Sequence, residues 1–454
     1  MYALLRAAAG VALRWYYRDV RIEGVERIPR GRPLLLVVNH PNALVDALLV
    51  GVAVPWRVLM LAKATLFTNR IAAASLRWLG VLPVRRASDE RASGRVDPKR
   101  NRDTFLAVRE ALRHAKTVLI FPEGKSHDEP SLAPLKTGAA RIALDARDAG
   151  IRDLMVVPIG LTFERKEMPR TRVLVHVGEP LSMDVWQPRE QTASEAEALT
   201  ADIDARLRAV TLNYASPDDA ARTIRLAATI AAIVGEGPAT ADRGLDVDAA
   251  IARRIADLSD RLAGAEQLRP RADRLMARLE VVQQTTSAHR ILTEDIQIPV
   301  EPGRALRSIA REGWILLFGA PVALWGRVNH WLPFRAARMI AVRSPGDASD
   351  PAMRTLVAGA AFVLMTYVAQ SALVAAFWGP WLASIYLVSL PIAADVNFWL
   401  SDRMSKAVRR GRAFLLFRRE PALHRHLIRE LEELRTEVTD LDRQLGGGLR
   451  LSGV

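Results

Sequence analysis

From Val20 to about Pro180, short apolar runs alternate with stretches whose apolar positions recur every three or four residues. "RPLLLVVNH", "WRVLMLA", "KTVLIF", "LMVVPIGL" and "RVLVHVGEP" are rich in Val, Ile and Leu and are bounded by Gly, Pro or charge, so they read as strands. "NRDTFLAVREALRHA" and "LKTGAARIALDARDAG" lie between them with helical period. Strands that alternate with helices predict an α/β domain, with a mainly parallel sheet flanked by helices.

The pattern changes along the rest of the chain. Residues 186–300, with segments such as "SEAEALTADIDARLRAVTLNY", show only helical period with charge on one face, which predicts a two- or three-helix appendage. No charged residue occurs between Thr355 and Ala394, about twice the ~20 residues that a helix needs to cross a bilayer. Gly379 and Pro380 interrupt this run, so a membrane hairpin over 355–400 is expected inside a membrane-associated region, 301–402, with Trp378, Trp381 and Trp399 at interfaces. The segment 313–326 is too short for a span and reads as an interfacial or re-entrant helix.

Both termini add helices. "MYALLRAAAGVALRWYY", residues 1–17, predicts an amphipathic helix that lies on a membrane or packs on the domain, with no cleavage site to mark a signal peptide. Within 403–454, Leu427, Leu431, Leu434, Val438, Leu441 and Leu445 form a short heptad stripe. Packing within the chain is favoured for it, and a homodimeric coiled coil is the alternative.

Hydrophobic residues make up 50% and charged ones 25% of the 454 residues, populations that the chain keeps apart. The formal charge of +14 favours a polyanionic partner: nucleic acid, an anionic membrane or a phosphorylated substrate. No nucleic-acid motif accompanies the arginines, so that class is set aside. The lack of cysteine excludes disulfides, thiolate metal sites and a cysteine nucleophile. Basic residues flank the apolar region on both sides, Arg335, Arg338, Arg343 and Arg354 before it and Arg403, Lys406, Arg409, Arg410 and Arg412 after it, which predicts that both ends face the cytoplasm.

The candidate chemistry starts in "LLLVVNHPNALVDALLV", residues 34–50, which sets His40 six positions before Asp46. On a continuous helix the two would stand about 120° apart. If a strand ends at His40 and Pro41 to Leu44 make a loop and first helical turn, the carboxylate can return to the imidazole. It then fixes the tautomer and leaves the other nitrogen to take a proton from a hydroxyl. Alone, such a pair is more often structural.

Three further segments accompany it in order: "GVLPVRR" (80–86) with Arg85 and Arg86, "FPEGKSHDEPSLAPLKTGAA" (121–140) with Glu123, Gly124, Lys125, Ser126, Lys136 and Gly138, and "VVPIGLTFE" (156–164). With these four blocks the sequence resembles the glycerol-phosphate and lysophosphatidate acyltransferase superfamily over about residues 18–182. Its His-x5-Asp, where His-x4-Asp is usual, and its "FPEGKSHD", where Phe-Pro-Glu-Gly-Thr-Arg is common, are similar to the glycerol-3-phosphate/dihydroxyacetone-phosphate acyltransferase branch best known from fungi.

The resemblance implies an acyltransferase domain over 18–185 and direct transfer of an acyl group from CoA or acyl carrier protein to a hydroxyl of a phosphorylated glycerol. His40 would be the general base and Asp46 its orienting partner. Arg86 matches the phosphate-contacting arginine, Glu123 and Gly124 match the acceptor-binding block, and Arg85, Lys125, Ser126 and Lys136 are further substrate-binding candidates. Lys63 and Phe67 also fit the pattern, in a role that packing alone could explain. Charge-assisted hydrogen bonds from guanidinium and ammonium groups suit a small dianion. His127 and Asp128 lack a companion ligand cluster, and no metal or cofactor is expected. The partners implied are membrane lipids, the thioester donor and the phosphorylated acceptor. Glycerol-3-phosphate or dihydroxyacetone phosphate is the first choice of acceptor and lysophosphatidate the second, with a catalytically silent lipid-binding scaffold as the rival class.

Overall fold

A computed structural model of the chain describes residues 2–67, 70, 73–74, 80–84, 98–166, 168–188, 194–235, 245–298, 300–343 and 351–446. They divide into two compact units, Met1–Pro217 with Arg343–Leu356, and Asp218–Val342 with Val357–Val454.

The first unit is built on one sheet. Its strands are β1 (Asp19–Glu23), β2 (Leu34–Val38), β3 (Val58–Lys63), β4 (Val81–Val84), β5 (Thr117–Ile120), β6 (Met155–Phe163), β7 (Arg172–Val177) and β8 (Leu181–Ser182). They lie in the order β1-β7-β6-β2-β5-β3-β4, and β8 pairs with the start of β6. All neighbours are parallel except β6 with β7 and β6 with β8. The five expected strands are present. β1, β4 and β8 join them, short segments whose apolar content is too low or too brief to stand out.

β2 lies at the centre, and all five of its residues are buried. An unbroken apolar run is what a strand covered on both faces requires. Leu35 and Val37 face one layer, made by helices α3 (Pro98–Arg113), α4 (Gly138–Asp148) and α5 (Glu195–Val210). Leu34, Leu36 and Val38 face the other, made by α1 (Tyr2–Tyr16) and α2 (Ala43–Ala53). Helix α1 buries Leu13 and Tyr16 in that layer and leaves Leu4 and Leu5 exposed.

Helix α5 shifts the expected boundary at residue 185. Its Leu199, Ile203, Leu207 and Val210 complete the first unit's core, so the unit runs to Pro217. A Ser194–Glu197 capping box starts the helix. At its far end the carbonyl of Val210 comes so near Gly160 on β6 that a Cβ there would lie 2.1 Å from the oxygen. Only glycine admits that approach.

The second unit is helical: α6 (Pro217–Val234), α7 (Leu245–Ala263), α8 (Arg269–Ala288), α9 (Pro302–Arg343), α10 (Pro351–Trp378), α11 (Pro380–Arg419) and α12 (Pro421–Gln444). The heptad stripe on α12 is buried, and Arg278 of α8 bonds Glu430, Glu433 and Glu437 along it at 2.7–3.0 Å. The stripe is therefore met by a helix of its own chain.

Among the described residues, two helices are long and apolar enough to cross a membrane, over Met353–Trp378 and Pro380–Arg419. They meet at Gly379, whose φ of 87° is left-handed. The segment 313–326 is not a short helix. It lies inside the 42-residue α9, which runs on through Pro321 and Pro333. Trp314, Leu317, Phe318, Leu324 and Val328 of that helix are exposed. Its Gly326 packs on the carbonyl of Ala393, a close approach of two helices that a residue without a Cβ allows. Beside that contact, buried His330 bonds Tyr367 at 2.7 Å and Asn329 accepts a hydrogen bond from Tyr386 at 2.7 Å.

Candidate active site

Three neighbouring strands, β6, β2 and β5, end along one edge of the sheet, and the loops that leave them carry the site. Crevices at the carboxyl ends of parallel strands are the usual ligand sites of such sheets. After β2 come Asn39 and His40. The Asn39 side chain donates to the carbonyl of Leu161 at 3.0 Å and accepts from its N–H at 2.7 Å, which extends the β2–β6 ladder by one residue and fixes where His40 begins.

The chain then bends through Pro41 and Asn42 and enters α2 at Ala43, whose φ of 48° is left-handed. That turn brings Asp46 back beneath the imidazole. His40 Nδ1 donates to Asp46 Oδ2 at 2.9 Å, and the Asn42 N–H donates to the same oxygen at 2.7 Å. Asp46 Oδ1 is buried with no hydrogen bond among the described residues. The Asp46 side chain is fully buried, whereas His40 keeps 12% of its own exposed. Burial pushes the Asp46 carboxyl above the usual carboxylate range, against the opposing pull of the His40 hydrogen bond and charge, the Asn42 amide and the Lys166 ammonium.

Because a carboxylate only accepts, Nδ1 carries the proton and Nε2 carries the lone pair. The ring stacks on Phe121, the first residue after β5, with centroids 3.9 Å apart and planes 12° from parallel.

Glu123 is 3% exposed and holds the two loops together. Its Oε1 accepts from the His40 backbone N–H at 2.6 Å, and its Oε2 accepts from the Ala133 N–H at 2.9 Å and from His127 Nε2. The Glu129 N–H donates to His127 Nδ1 at 3.2 Å, so the His127 proton is on Nε2. Both Glu123 oxygens are thus occupied within the protein. Gly124 has φ 77°, and Lys136 lies against it: a Cβ there would meet Lys136 Nζ at 2.8 Å.

Lys125 and Lys136 are exposed and Ser126 is half-buried. Lys63 closes β3, and Phe67 lies in a short turn over 64–67. Arg85 and Arg86 fall outside the described residues, immediately after β4. β4 is the edge strand of the parallel part of the sheet, and its carboxyl end shares the side of the sheet on which His40 lies.

The sequence patterns missed several members of this constellation. Lys166, just past β6, donates to the carbonyls of Pro41 at 3.0 Å and His127 at 2.9 Å and pairs with Asp128. Asn42 Nδ2 donates to the Lys166 carbonyl at 3.2 Å and to the Tyr17 hydroxyl at 3.1 Å. The block "VVPIGLTFE" stops two residues short of Lys166, and nothing in the spacing of Tyr17 or Asn42 marks them. His127 and Asp128 had a signal, the paired side chains after the glutamate, and the structure sets them against Glu123 and Lys166.

Parts of the chain are similar to known proteins. Residues 19–162 match the family model described as Acyltransferase. Over 85 residues, 18% of this chain and 11% of the relative, the sequence is 42% identical to glycerol-3-phosphate O-acyltransferase 2 of Saccharomyces cerevisiae. Over 90 residues, 20% of this chain and 11% of the relative, it is 37% identical to glycerol-3-phosphate O-acyltransferase 1 of the same yeast. The match therefore spans about a tenth of either yeast protein's length. The 1-acyl-sn-glycerophosphate acyltransferase structure from Thermotoga maritima is also similar, at 20% identity and a TM-score of 0.36, covering 46% of this chain and 78% of that one. The segment from residue 19 to residue 162, which holds His40, Asp46 and Glu123, is thus the part of the chain that matches the acyltransferase family model.

Proposed function

We propose that this protein transfers a fatty acyl group from a thioester, acyl-CoA or acyl carrier protein, to a hydroxyl of glycerol-3-phosphate or dihydroxyacetone phosphate, at the first acylation of phospholipid synthesis. The observation that carries the reading is the 2.9 Å contact of His40 Nδ1 with buried Asp46, which leaves Nε2 as a base beside a partly open edge of the sheet.

Nε2 accepts the proton of the acceptor hydroxyl as its oxygen attacks the thioester carbonyl. The C–S bond breaks, and the imidazolium returns the proton to the departing thiolate. Asp46 holds the tautomer and offsets the positive charge that forms on the ring. Glu123 acts through the backbone of residue 40, holding the ring's attachment point in place. Lys136, Lys125 and the segment that carries Arg85 and Arg86 supply the cations for the phosphate, with Ser126 as a further polar contact. On this proposal the two apolar helices anchor the chain in a membrane and the sheet works on the cytoplasmic side, a reading supported by the basic residues at both ends of that region.

The test presents purified protein with labelled acyl donor and, separately, glycerol-3-phosphate, dihydroxyacetone phosphate and lysophosphatidate. The reading expects kcat/KM at least about tenfold higher for one of the first two than for lysophosphatidate, a difference of ~1.4 kcal/mol. A preference for lysophosphatidate moves the enzyme to the second acylation, and no transfer to any of the three refutes the function.

A further inference from the structure

Lys166 belongs to none of the four sequence blocks, yet it touches both the loop that carries His40 and the loop that carries Glu123. Its ammonium donates to the carbonyl of Pro41, the residue after the imidazole, and to the carbonyl of His127, whose ring is held by Glu123. Its own carbonyl accepts from Asn42, whose backbone N–H serves Asp46. Asp128 pairs with the ammonium from the outer side. Both ends of the residue are thus engaged on the two loops that must keep register with each other. The Lys166 side chain is four-fifths buried. Its charge also acts on Asp46, whose own ionisation burial opposes.

From this arrangement we infer that Lys166 is a positioning residue for the acyl transfer: it ties the loop after β2 to the loop after β5 and supplies the positive charge that keeps the His40–Asp46 pair in its base form. The inference rests on the function proposed above. A solvated lysine would do neither, since an exposed ion pair contributes little and tolerates substitution. Among the described residues, the charged and titratable groups that face the pair are Tyr17 from the end of α1, Glu123 and His127 from the loop after β5, and Lys166 with Asp128 beyond it.

Removing a positive charge lets the coupled pair hold its protons to higher pH, so the acidic limb of the pH–rate profile moves up. Removing a negative charge at Asp128 moves it down. A residue with only a structural role would lower the rate at every pH and leave the limb in place.

The experiment measures kcat, KM for the acceptor and the pH profile of kcat/KM for wild type, Lys166→Met, Lys166→Arg and Asp128→Asn, and follows the His40 ring signals by NMR in histidine-labelled protein. For Lys166→Met the expectation is a kcat at least about tenfold lower, ~1.4 kcal/mol, with KM within about threefold and the limb ~0.5 pH unit or more higher. Lys166→Arg restores the limb. An unmoved limb and an unmoved ring titration in folded Lys166→Met overturn the inference. If Lys166→Met does not fold, Asp128→Asn decides: a downward shift supports the inference and no shift overturns it. If wild type transfers no acyl group, the proposed function fails, and the ring titration alone still decides the role of Lys166.

Discussion

Replacing His40 with alanine is expected to lower kcat/KM for acyl transfer about 10³-fold, or ~4 kcal/mol of transition-state stabilisation. The size follows from the geometry. Removing the ring takes away the lone pair on Nε2, and among the described residues neither Glu123 nor His127 is free to replace it, because both oxygens of Glu123 are occupied and His127 has one nitrogen bonded to Glu123 and the other to the Glu129 amide. The fold should survive. Glu123 grips residue 40 through its backbone N–H, which alanine retains, and Asn39 keeps the strand end tied to Leu161. The check is steady-state kinetics on purified variant whose circular dichroism and membrane recovery match wild type. More than a few per cent of wild-type activity would reject the general-base role.

Asp46→Asn should separate activity from stability. The amide neither carries the charge that offsets imidazolium nor selects the tautomer with hydrogen on Nδ1, so kcat should fall by about 10²–10⁴. Stability moves the other way. Burial raises the Asp46 carboxyl above its unfolded value, so the protonated form is the one that folding favours. That stabilisation is fully present below the unfolded pKa and is lost as pH rises through the folded pKa. Asparagine has no such loss. The melting temperature of Asp46→Asn relative to wild type should therefore rise as pH goes from 5 to 8, measured by thermal denaturation in detergent. A gap that shrinks or reverses over that range would mean that the ionised Asp46 is stabilised in the fold, against the burial argument.

A stability cost borne by a group the chemistry needs is a common feature of active sites. Here it has a visible source. One oxygen of Asp46 receives two donors and the other receives none among the described residues, so the carboxylate is held by direction rather than saturated. The left-handed Ala43 adds to this, since a residue with a Cβ takes that conformation only where the surroundings impose it. In the His-x5-Asp spacing, this is the position at which the chain turns to return the aspartate.

The sheet was legible in the sequence where burial on both faces leaves an unbroken apolar run, as in β2 and β6. β1, β4 and β8 were not, because an edge strand such as Asp19–Glu23 mixes charge with apolar residues and a two-residue strand has no pattern to show. Helical period identified α5 as a helix without telling which core it covers, so its place in the first unit came only from Leu199, Ile203 and Leu207. Residues 313–326 looked short because Arg327 ends the apolar run. The helix itself continues, since its backbone bonding does not depend on hydropathy and an exposed arginine on its flank does not break it.

The site divides in the same way. His40 and Asp46 lie close in sequence at a strand end, where spacing and geometry are nearly the same statement. The role of Glu123 in gripping the backbone of residue 40 needs a contact across 83 positions, and the tie from Lys166 to Pro41 spans 125. Such contacts are set by strand order, β6 beside β2 beside β5, and no local pattern encodes that order.

In the proposed reaction, His40 activates the acceptor hydroxyl for attack on the thioester with no covalent acyl-enzyme. The most direct measurement mixes a stoichiometric amount of protein with labelled acyl donor, first without acceptor and then with the preferred phosphorylated glycerol. The account predicts no label on the protein and no burst of free thiol in the first case, and thiol release equal to labelled acyl product in the second. Label bound covalently to the protein before acceptor is added, and passed on when it is added, would contradict it.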